Sequence, residues 1–425
     1  MKKILLLSLG IILGIQVLGQ TNTSLQSIHQ DIQDETNRIF EELVEFRRDI
    51  HMHPELSEQE KRTSGKITSY LKKLGLDVKT NIGGYGVVGI LHGAKDGKHI
   101  AWRADIDAFK SDFPDVVEFA SKNKGVRHIC GHDVHTTIGL GIANVLSKQK
   151  EQVHGTIYFI FQPAEEILNK GAESMISDSL FDIIHPTEIY ALHMNPLPVG
   201  MITSKPNELY SYFRNISIKY NNIQDKEAVT KYTQQLIQSF NTVDQQFWDT
   251  RNISNPQIGV GNPNSIYKDY LAVTPNFNNH SVGNTVELTF RIYASNKTYI
   301  DALPENLEEK ITQSKYAKNL IAINYEKQHP TVLNNPDLTE QTLKSIASIY
   351  GSKTVIPTHG IIHLFNDDFS YFQQKVPGVY FLMGGSNFQK GIIAMPHTPN
   401  FNVDEESIRI GVNYFSSMLV ERLNR

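Results

Sequence analysis

The chain has 425 residues, of which 40% are hydrophobic and 20% charged, and its formal net charge is -4. Because one domain typically has about 100–200 residues, the length predicts two domains. The composition excludes a disordered or collagen-like chain, and the charge gives no support for a nucleic-acid partner. The single cysteine excludes an intramolecular disulfide, which leaves Cys130 as a free thiol, a metal ligand or a packed core residue.

The N-terminus has the pattern of a secretory signal peptide over residues 1–19. Lys2 and Lys3 form a basic start, and residues 4–17 are an uncharged, mostly apolar run. A membrane span needs about 20 apolar residues, so the run favours a cleaved signal over stable membrane insertion. An uncleaved anchor is the alternative. We therefore expect an exported protein, periplasmic or secreted, whose mature chain begins at Gln20.

Predicted strands alternate with predicted helices through most of the chain. A helical pattern with a turn at His53-Pro54 covers residues 28–76, and a second one covers 136–147. Apolar runs predict buried strands at 86–91, 99–104, 156–161, 189–193 and 376–383. This alternation predicts an α/β domain whose central sheet is flanked by helices on both faces.

Residues 207–320 have a different pattern. Alternating side chains at 214–220 and 284–293 predict half-exposed strands, and helical patterns follow each of them at 226–240 and 299–315. This β-α-β-α succession predicts a smaller α+β domain. It is inserted into the larger domain, whose two parts are 28–206 and 321–425.

Two clusters carry the side chains best suited to chemistry. The first is His-Ile-Cys-Gly-His-Asp-Val-His-Thr at 128–136, where thiolate and imidazole together suit Zn²⁺ best among common metals. A polar turn around a buried thiol is the alternative. In the second cluster, Glu165 and Glu166 follow a predicted core strand, where α/β sheets place their sites. Adjacent carboxylates can divide metal binding and proton transfer between them, although a solvated acidic loop is the alternative.

Two further histidines complete the set. His193 ends a predicted strand, and His397 lies in the sequence Met-Pro-His-Thr-Pro. A lone histidine beside a proline is more often structural than a ligand. Together, however, the four elements supply five plausible ligands and a spare carboxylate, which is the inventory of a two-metal hydrolase.

Seven segments of the chain carry a resemblance to known proteins. They are FRRDIHMHPELSEQE (46–60), WRADIDA (102–108), HICGHDVHT (128–136), FQPAEE (161–166), ALHMNP (191–196), VPGVYFLMGG (376–385) and MPHTPNFNVDEE (395–406). Each segment alone is a weak match, but seven in the same order and spacing are hard to reach by chance. Together they resemble a family of zinc-dependent amidohydrolases and peptidases that includes aminoacylases, hippurate hydrolase and the auxin-conjugate (IAA-amino acid) hydrolases of plants.

The resemblance implies which residues do the chemistry. Glu165 corresponds to the general base, and Asp105 and Asp107 to carboxylates that orient the histidines, with a capping or loop role as the alternative. Two divalent ions are implied, with Zn²⁺ favoured and Mn²⁺ or Co²⁺ as alternatives. The family also implies a mixed central sheet, and a homodimer formed through the inserted lid domain. The corresponding ligands are Cys130 as the bridging ligand, His132, Glu166, His193 and His397.

The inserted domain departs from the family pattern. Relatives usually have Gly-Gly-His-Ala after its first strand, where the histidine helps to hold the oxyanion, but residues 219–224 are Lys-Tyr-Asn-Asn-Ile-Gln. His280 could substitute from another loop, or Asn221 or Asn222 could donate instead. Arg291 stands where relatives often have an arginine that would pair with a substrate carboxylate, although a solvated surface residue is the preferred interpretation.

The sequence therefore predicts an exported metal-dependent amidohydrolase. Its substrates would be small-molecule amides, namely N-acyl amino acids or small peptide-like compounds. A carboxypeptidase or dipeptidase on the same scaffold is an alternative that the sequence does not separate from it. The missing lid histidine favours another alternative, a non-catalytic relative that keeps the metal for structure or binds a ligand.

Overall fold

The computed structural model describes residues 2–167 and 170–424, with side chains from Ser27 onward. The predicted signal peptide depends on residue 1 and on side chains before Ser27, which lie outside the described part, so it stays a prediction. Within the described part, no helix combines the length and the apolar character that a membrane span requires.

Helices and strands alternate along much of the chain. The helices are α1 Lys2–Met52, α2 Lys61–Lys73, α3 His132–Lys148, α4 Gly171–Ser177, α5 Leu180–Ile183, α6 Lys226–Gln238, α7 Lys297–Thr312, α8 Pro336–Tyr350, α9 Phe369–Gln373 and α10 Glu406–Leu423. The strands are β1 Asp77–Ile82, β2 Gly86–His92, β3 Lys95–Asp105, β4 Phe109–Lys110, β5 Val126–Arg127, β6 His154–Gln162, β7 Glu188–Pro198, β8 Ile202–Thr203, β9 Asn207–Glu208, β10 Tyr212–Tyr220, β11 Leu271–Val273, β12 Asn278–Val282, β13 Thr285–Ala294, β14 Leu320–Tyr325, β15 Leu333–Asn334 and β16 Gly378–Ser386.

Contacts divide the chain into two compact units. The larger unit contains the chain up to Thr203, Asp337–Ile356 and the residues from Gln374 onward. The smaller unit contains Ser204–Pro336 and Pro357–Gln373. It extends beyond residue 320 because β14 forms part of its sheet, in which β14 pairs antiparallel with β10.

A mixed central sheet forms the core of the larger unit, as the sequence predicts. Its strand order is β1-β2-β6-β3-β7-β16-β8, and the inner strands β6, β3, β7 and β16 run parallel. Strands β6 and β16 are buried almost throughout, as are the second half of β3 and the first half of β7, which explains why these stretches appear in the sequence as apolar runs. Helices α1, α3 and α10 pack on one another, and α3 and α10 also pack on β3, where the Trp102 ring lies 4.8 Å from that of Phe415 on α10.

The smaller unit is an antiparallel sheet with helices on one face. The sheet has the order β11-β13-β10-β14, and β12 also pairs with β13. Alternate residues of β10 and β13 are buried against α6 and α7 in a separate apolar core. The predicted β-α-β-α succession is present, and its strands leave a polar face uncovered by these helices.

Candidate metal centre

The candidate ligands of the larger unit lie where the parallel strands end. Because β6, β3, β7 and β16 are parallel, their C-terminal ends share one edge of the sheet. Strand β3 ends at Asp105, β6 ends shortly before Glu165, and β7 passes through His193. Helix α3 begins at His132, directly after Cys130 and Gly131. The edge therefore gathers side chains from separate parts of the chain.

Cys130, His132 and His193 form one group of potential metal ligands. Their donor atoms lie within 4.8 Å of one another, and Cys130 Sγ is 3.2 Å from His193 Nε2. Gly131 has a φ of 96°, in the left-handed region that favours glycine, and a Cβ there would lie 3.1 Å from Met194 Cγ. Glycine therefore allows the turn that directs Cys130 and His132 toward the same space.

A second group of potential ligands shares Cys130 with the first. It contains Cys130, Glu166 and His397, again with donor atoms within 4.8 Å of one another. His397 Nε2 lies 3.0 Å from Glu166 Oε1. The His397 side chain is 43% exposed, its backbone has a positive φ of 58°, and its ring is 4.5 Å from that of Phe109. The structure thus brings together all five predicted ligands, with Cys130 common to both groups.

The hydrogen bonds of two histidines fix the tautomer that a metal requires. His132 Nδ1 lies 2.9 Å from the carbonyl oxygen of Asp107, and His193 Nδ1 lies 2.7 Å from that of Met194. A carbonyl oxygen only accepts, so in each ring Nδ1 carries the proton and Nε2 can offer a lone pair. His132 Nε2 is buried and has no hydrogen-bond partner. A buried nitrogen of this kind beside a thiol fits a metal ligand.

His135 supports this arrangement from behind, and the sequence analysis did not single it out. Its Nε2 accepts a hydrogen bond from the backbone N–H of Met194 at 2.8 Å, so its Nδ1 carries the proton and donates to Asp105 Oδ1 at 2.7 Å. Arg103 donates to the other oxygen of Asp105 at 2.6 Å. Asp105 therefore holds His135, which in turn holds the strand segment that carries His193.

Asp107 contacts both of the segments that carry the candidate ligands His132 and Glu166. Its Oδ1 lies 3.1 Å from His132 Nδ1, and its Oδ2 accepts from the backbone N–H of Glu166 at 2.9 Å and from Ser57 Oγ at 2.7 Å. These are the contacts of a carboxylate that orients ligands. Glu165 lies beside them, with its Oε2 3.8 Å from His132 Nε2 and its side chain 12% exposed. The predicted general base is thus next to the potential ligands, and its role stays a prediction.

The electrostatics of the centre suit a cation. Burial, together with the charge of Glu166, raises the pKa of the Cys130 thiol well above its usual range. Burial alone would lower the pKa of His132, but the charge of Asp105 and the hydrogen bond to Asp107 outweigh it and raise the pKa well above the usual value. Metal binding would therefore require the release of protons from Cys130 and His132, which makes metal affinity dependent on pH.

The smaller unit carries the two remaining candidates on the polar face of its sheet. His280 on β12 pairs with Glu287 of β13, and Arg291 on β13 pairs with Asn215 of β10. Both candidates are exposed. Arg291 Nε donates to Asn215 Oδ1 at 2.7 Å, and its guanidinium lies 5.1 Å from the ring centre of Phe213. Arg291 therefore already has partners within its own sheet, and the roles of both residues stay predictions.

The chain matches the model of the peptidase family M20/M25/M40 over residues 101–421. It belongs to that family, as the resemblance predicted, and it is therefore a metal-dependent hydrolase.

Similar proteins include both peptidases and amidohydrolases. Thermostable carboxypeptidase 1 of Saccharolobus solfataricus is 30% identical over 415 residues, which cover 93% of this chain and 99% of that protein. IAA-amino acid hydrolase ILR1-like 4 of Arabidopsis thaliana is 28% identical over 403 residues, covering 91% and 87%. Among solved structures, the Bacillus subtilis YxeP protein, described as a dinuclear metal-binding peptidase of the M20 family, has a TM-score of 0.73 at 25% identity and covers 91% of this chain and 99% of its own.

Proposed function

We propose that the protein is an exported amidohydrolase with two divalent metal ions. It would cleave the amide bond of N-acyl amino acids or small peptide-like compounds. The observation that carries this proposal is the pair of ligand groups that share Cys130, with Glu165 beside them. Thiolate and imidazole donors favour Zn²⁺, whereas Mn²⁺ or Co²⁺ also suit carboxylate and imidazole ligands.

The residues of the chain divide the reaction between them. Cys130, His132, Glu166, His193 and His397 would hold the ions, which when bound supply Lewis acidity and lower the pKa of water toward neutrality. Glu165 accepts the proton of the water that attacks the amide carbonyl. Glu165 then delivers this proton to the nitrogen of the leaving amine, so that the products are a carboxylic acid and a free amine.

The substrate class is supported by the names of similar proteins. One similar protein is an IAA-amino acid hydrolase, whose name describes an N-acyl amino acid, and another is a carboxypeptidase. A carboxypeptidase or dipeptidase activity is therefore the second candidate function, because it would use the same ligands and base on a peptide amide. Membership in a family of hydrolases favours either activity over a non-catalytic role.

Export and dimerisation are further parts of the proposal. The basic start and the short apolar run of residues 1–19 support export to the periplasm or the medium. The family resemblance supports a homodimer formed through the smaller unit. The cleavage site can be checked by N-terminal sequencing of the secreted chain, and the oligomeric state by light scattering.

The test of function is release of free amine from N-acetyl, N-benzoyl and dipeptide substrates, pooled as a panel. The chain from Gln20, loaded with Zn²⁺ or Mn²⁺, should release amine, and Glu165→Gln should reduce kcat by orders of magnitude, about 100-fold or more. The variant should keep its full metal content, because only the proton-accepting group is lost. A Glu165→Gln enzyme as active as the parent would show that another residue is the base.

A further inference from the structure

Glu60 is a fully buried carboxylate, and capping of the helix that follows it does not explain its position. It immediately precedes α2, with no exposed surface, yet its side chain makes no capping hydrogen bond to that helix. The cap comes from Glu55, whose carboxylate accepts from the backbone N–H of Arg62 at 2.9 Å and of Thr63 at 2.8 Å. Burying a carboxylate is costly unless it is hydrogen-bonded, so the partner of Glu60 indicates its purpose.

The hydrogen bond that Glu60 accepts comes from the loop that carries Glu165 and Glu166. Glu60 Oε1 accepts a hydrogen bond from the backbone N–H of Ala164 at 2.8 Å. Ala164 has a φ of 54°, which a residue other than glycine rarely adopts without support from its surroundings. The carbonyl oxygen of Ala164 also accepts from the N–H of Gly171 at 3.1 Å, which closes the loop.

Glu60 and Asp107 hold the loop on either side of Glu165. Glu60 binds the N–H of the preceding residue, Ala164, and Asp107 binds the N–H of the following residue, Glu166, at 2.9 Å. The peptide unit before Ala164 and the peptide unit after Glu165 are therefore each fixed by a buried carboxylate, and the unit between these two residues is held at the Ala164 carbonyl oxygen by the N–H of Gly171. Because rotation of either unit would swing the Glu165 side chain, both bonds are needed to keep the base in one place.

We propose that Glu60 is a positioning residue that fixes the general base Glu165 through the backbone of Ala164. The inference rests on the proposed function, because it assumes that Glu165 is the base. What this role requires of Glu60 is an acceptor at the right distance and not a negative charge. In agreement, burial and the nearby charge of Asp107 raise the pKa of Glu60 to about 7.

Two variants separate geometry from charge. Glu60→Gln keeps the acceptor at full reach and removes the charge, whereas Glu60→Asp keeps the charge and shortens the side chain by one carbon–carbon bond. Glu45→Asp makes the same change at an exposed position of α1 and serves as the matched control. The measurements are kcat and KM on the best substrate of the panel, metal content per chain, and hydrogen exchange of the peptide that contains Ala164.

Glu60→Asp should lower kcat by about 100-fold with KM and metal content unchanged, because a misplaced group costs about that much. Its Ala164 amide should exchange at least about tenfold faster, since the bond that protects it is lost. Glu60→Gln and Glu45→Asp should stay within about threefold of the parent in kcat.

Each contrary result has a distinct meaning. Unchanged exchange in Glu60→Asp would overturn the hydrogen-bonding role, and faster exchange with unchanged kcat would overturn the link to Glu165. A parallel fall of kcat and metal content would place Glu60 in metal retention, which also overturns the proposal. An inactive parent would refute the proposed function, whereas an active parent with an equally active Glu60→Asp would refute only the role of Glu60.

Discussion

The two ligand groups share only Cys130, and this predicts how metal content responds when single ligands are removed. His193→Ala removes a donor from one group, and His397→Ala removes a donor from the other. Each of these variants should retain one metal ion per chain, because the remaining group is intact. Cys130→Ala should weaken both sites, because its thiolate serves both groups.

The stability of the protein should follow the same division. A ligand that binds only the native state stabilises it by about 2.7 kcal/mol when its free concentration is 100 times its Kd. Two sites of similar affinity would then contribute about 5 kcal/mol to the parent, and each histidine variant should keep about half of that gain. The gain is taken as the difference between metal-loaded and metal-free forms of the same variant, so the cost of losing a buried ring cancels.

Metal content is measured by elemental analysis after dialysis, and the free energy of unfolding by urea titration of loaded and chelated protein. His185→Ala is the matched control, because His185 is exposed and belongs to neither ligand group. It should bind two ions and show the full metal-linked gain. If His397→Ala still bound two ions, or if Cys130→Ala lost only one, the assignment of a shared thiolate would be refuted.

Three other predictions concern the larger unit. Arg422→Leu should lower the free energy of unfolding by about 3–5 kcal/mol in urea titrations, because it leaves the buried Glu188 carboxylate without the guanidinium that donates to it at 3.0 Å; a loss below about 1 kcal/mol would contradict this. In chelated protein, burial and the charge of Asp107 raise the pKa of Glu60 from 4.5 to about 7. The stability that comes from protonated Glu60 is therefore complete below pH 4.5, falls as the pH rises and is lost above about pH 7. In Glu60→Gln, the free energy of unfolding should fall by about 3 kcal/mol less over this pH range than in the parent. Urea midpoints measured between about pH 5 and 8 should therefore change less with pH in the variant. Phe109→Ala should lower the affinity for one of the two metal ions by about tenfold in calorimetric titrations, because the Phe109 ring packs on that of His397. An equal loss of affinity for both ions would contradict this.

Strands buried on both faces were the easiest part of the fold to predict. The prediction at 86–91 corresponds to β2, which is buried up to its last residue, and the prediction at 156–161 lies within β6. Strand β1 was missed because most of its side chains are exposed, so Asp77–Ile82 has no apolar run. Helix α3 was predicted from residue 136 but begins at His132, because its first turn is filled by the polar side chains of the metal centre.

The donor types of the candidate site could be predicted, but not its supporting contacts. Thiolate, imidazole and carboxylate side chains have a recognisable chemistry wherever they lie in a chain. Glu60 and His135 also have such side chains, but the side-chain type does not reveal their roles, because these depend on partners brought close by folding. Ala164 is 104 residues from Glu60 along the chain, and Met194 is 59 residues from His135. Glu60 and His135 lie in segments that resemble the family, and this resemblance was the sequence indication of a role in the site.

Buried carboxylates link metal binding to the shape of the site. Asp105, Asp107 and Glu60 each hold a catalytic segment, and all three are without exposed surface. Contacts with His132 and neighbouring groups outweigh the effect of burial and lower the pKa of Asp105 and Asp107, whereas burial and the charge of Asp107 raise the pKa of Glu60. The metal-free centre thus relieves its excess negative charge by favouring a proton on His132 and on Glu60. Divalent cations would relieve the same excess without these protons, so the contacts that position the ligands and the base are also the contacts that make the site bind metal.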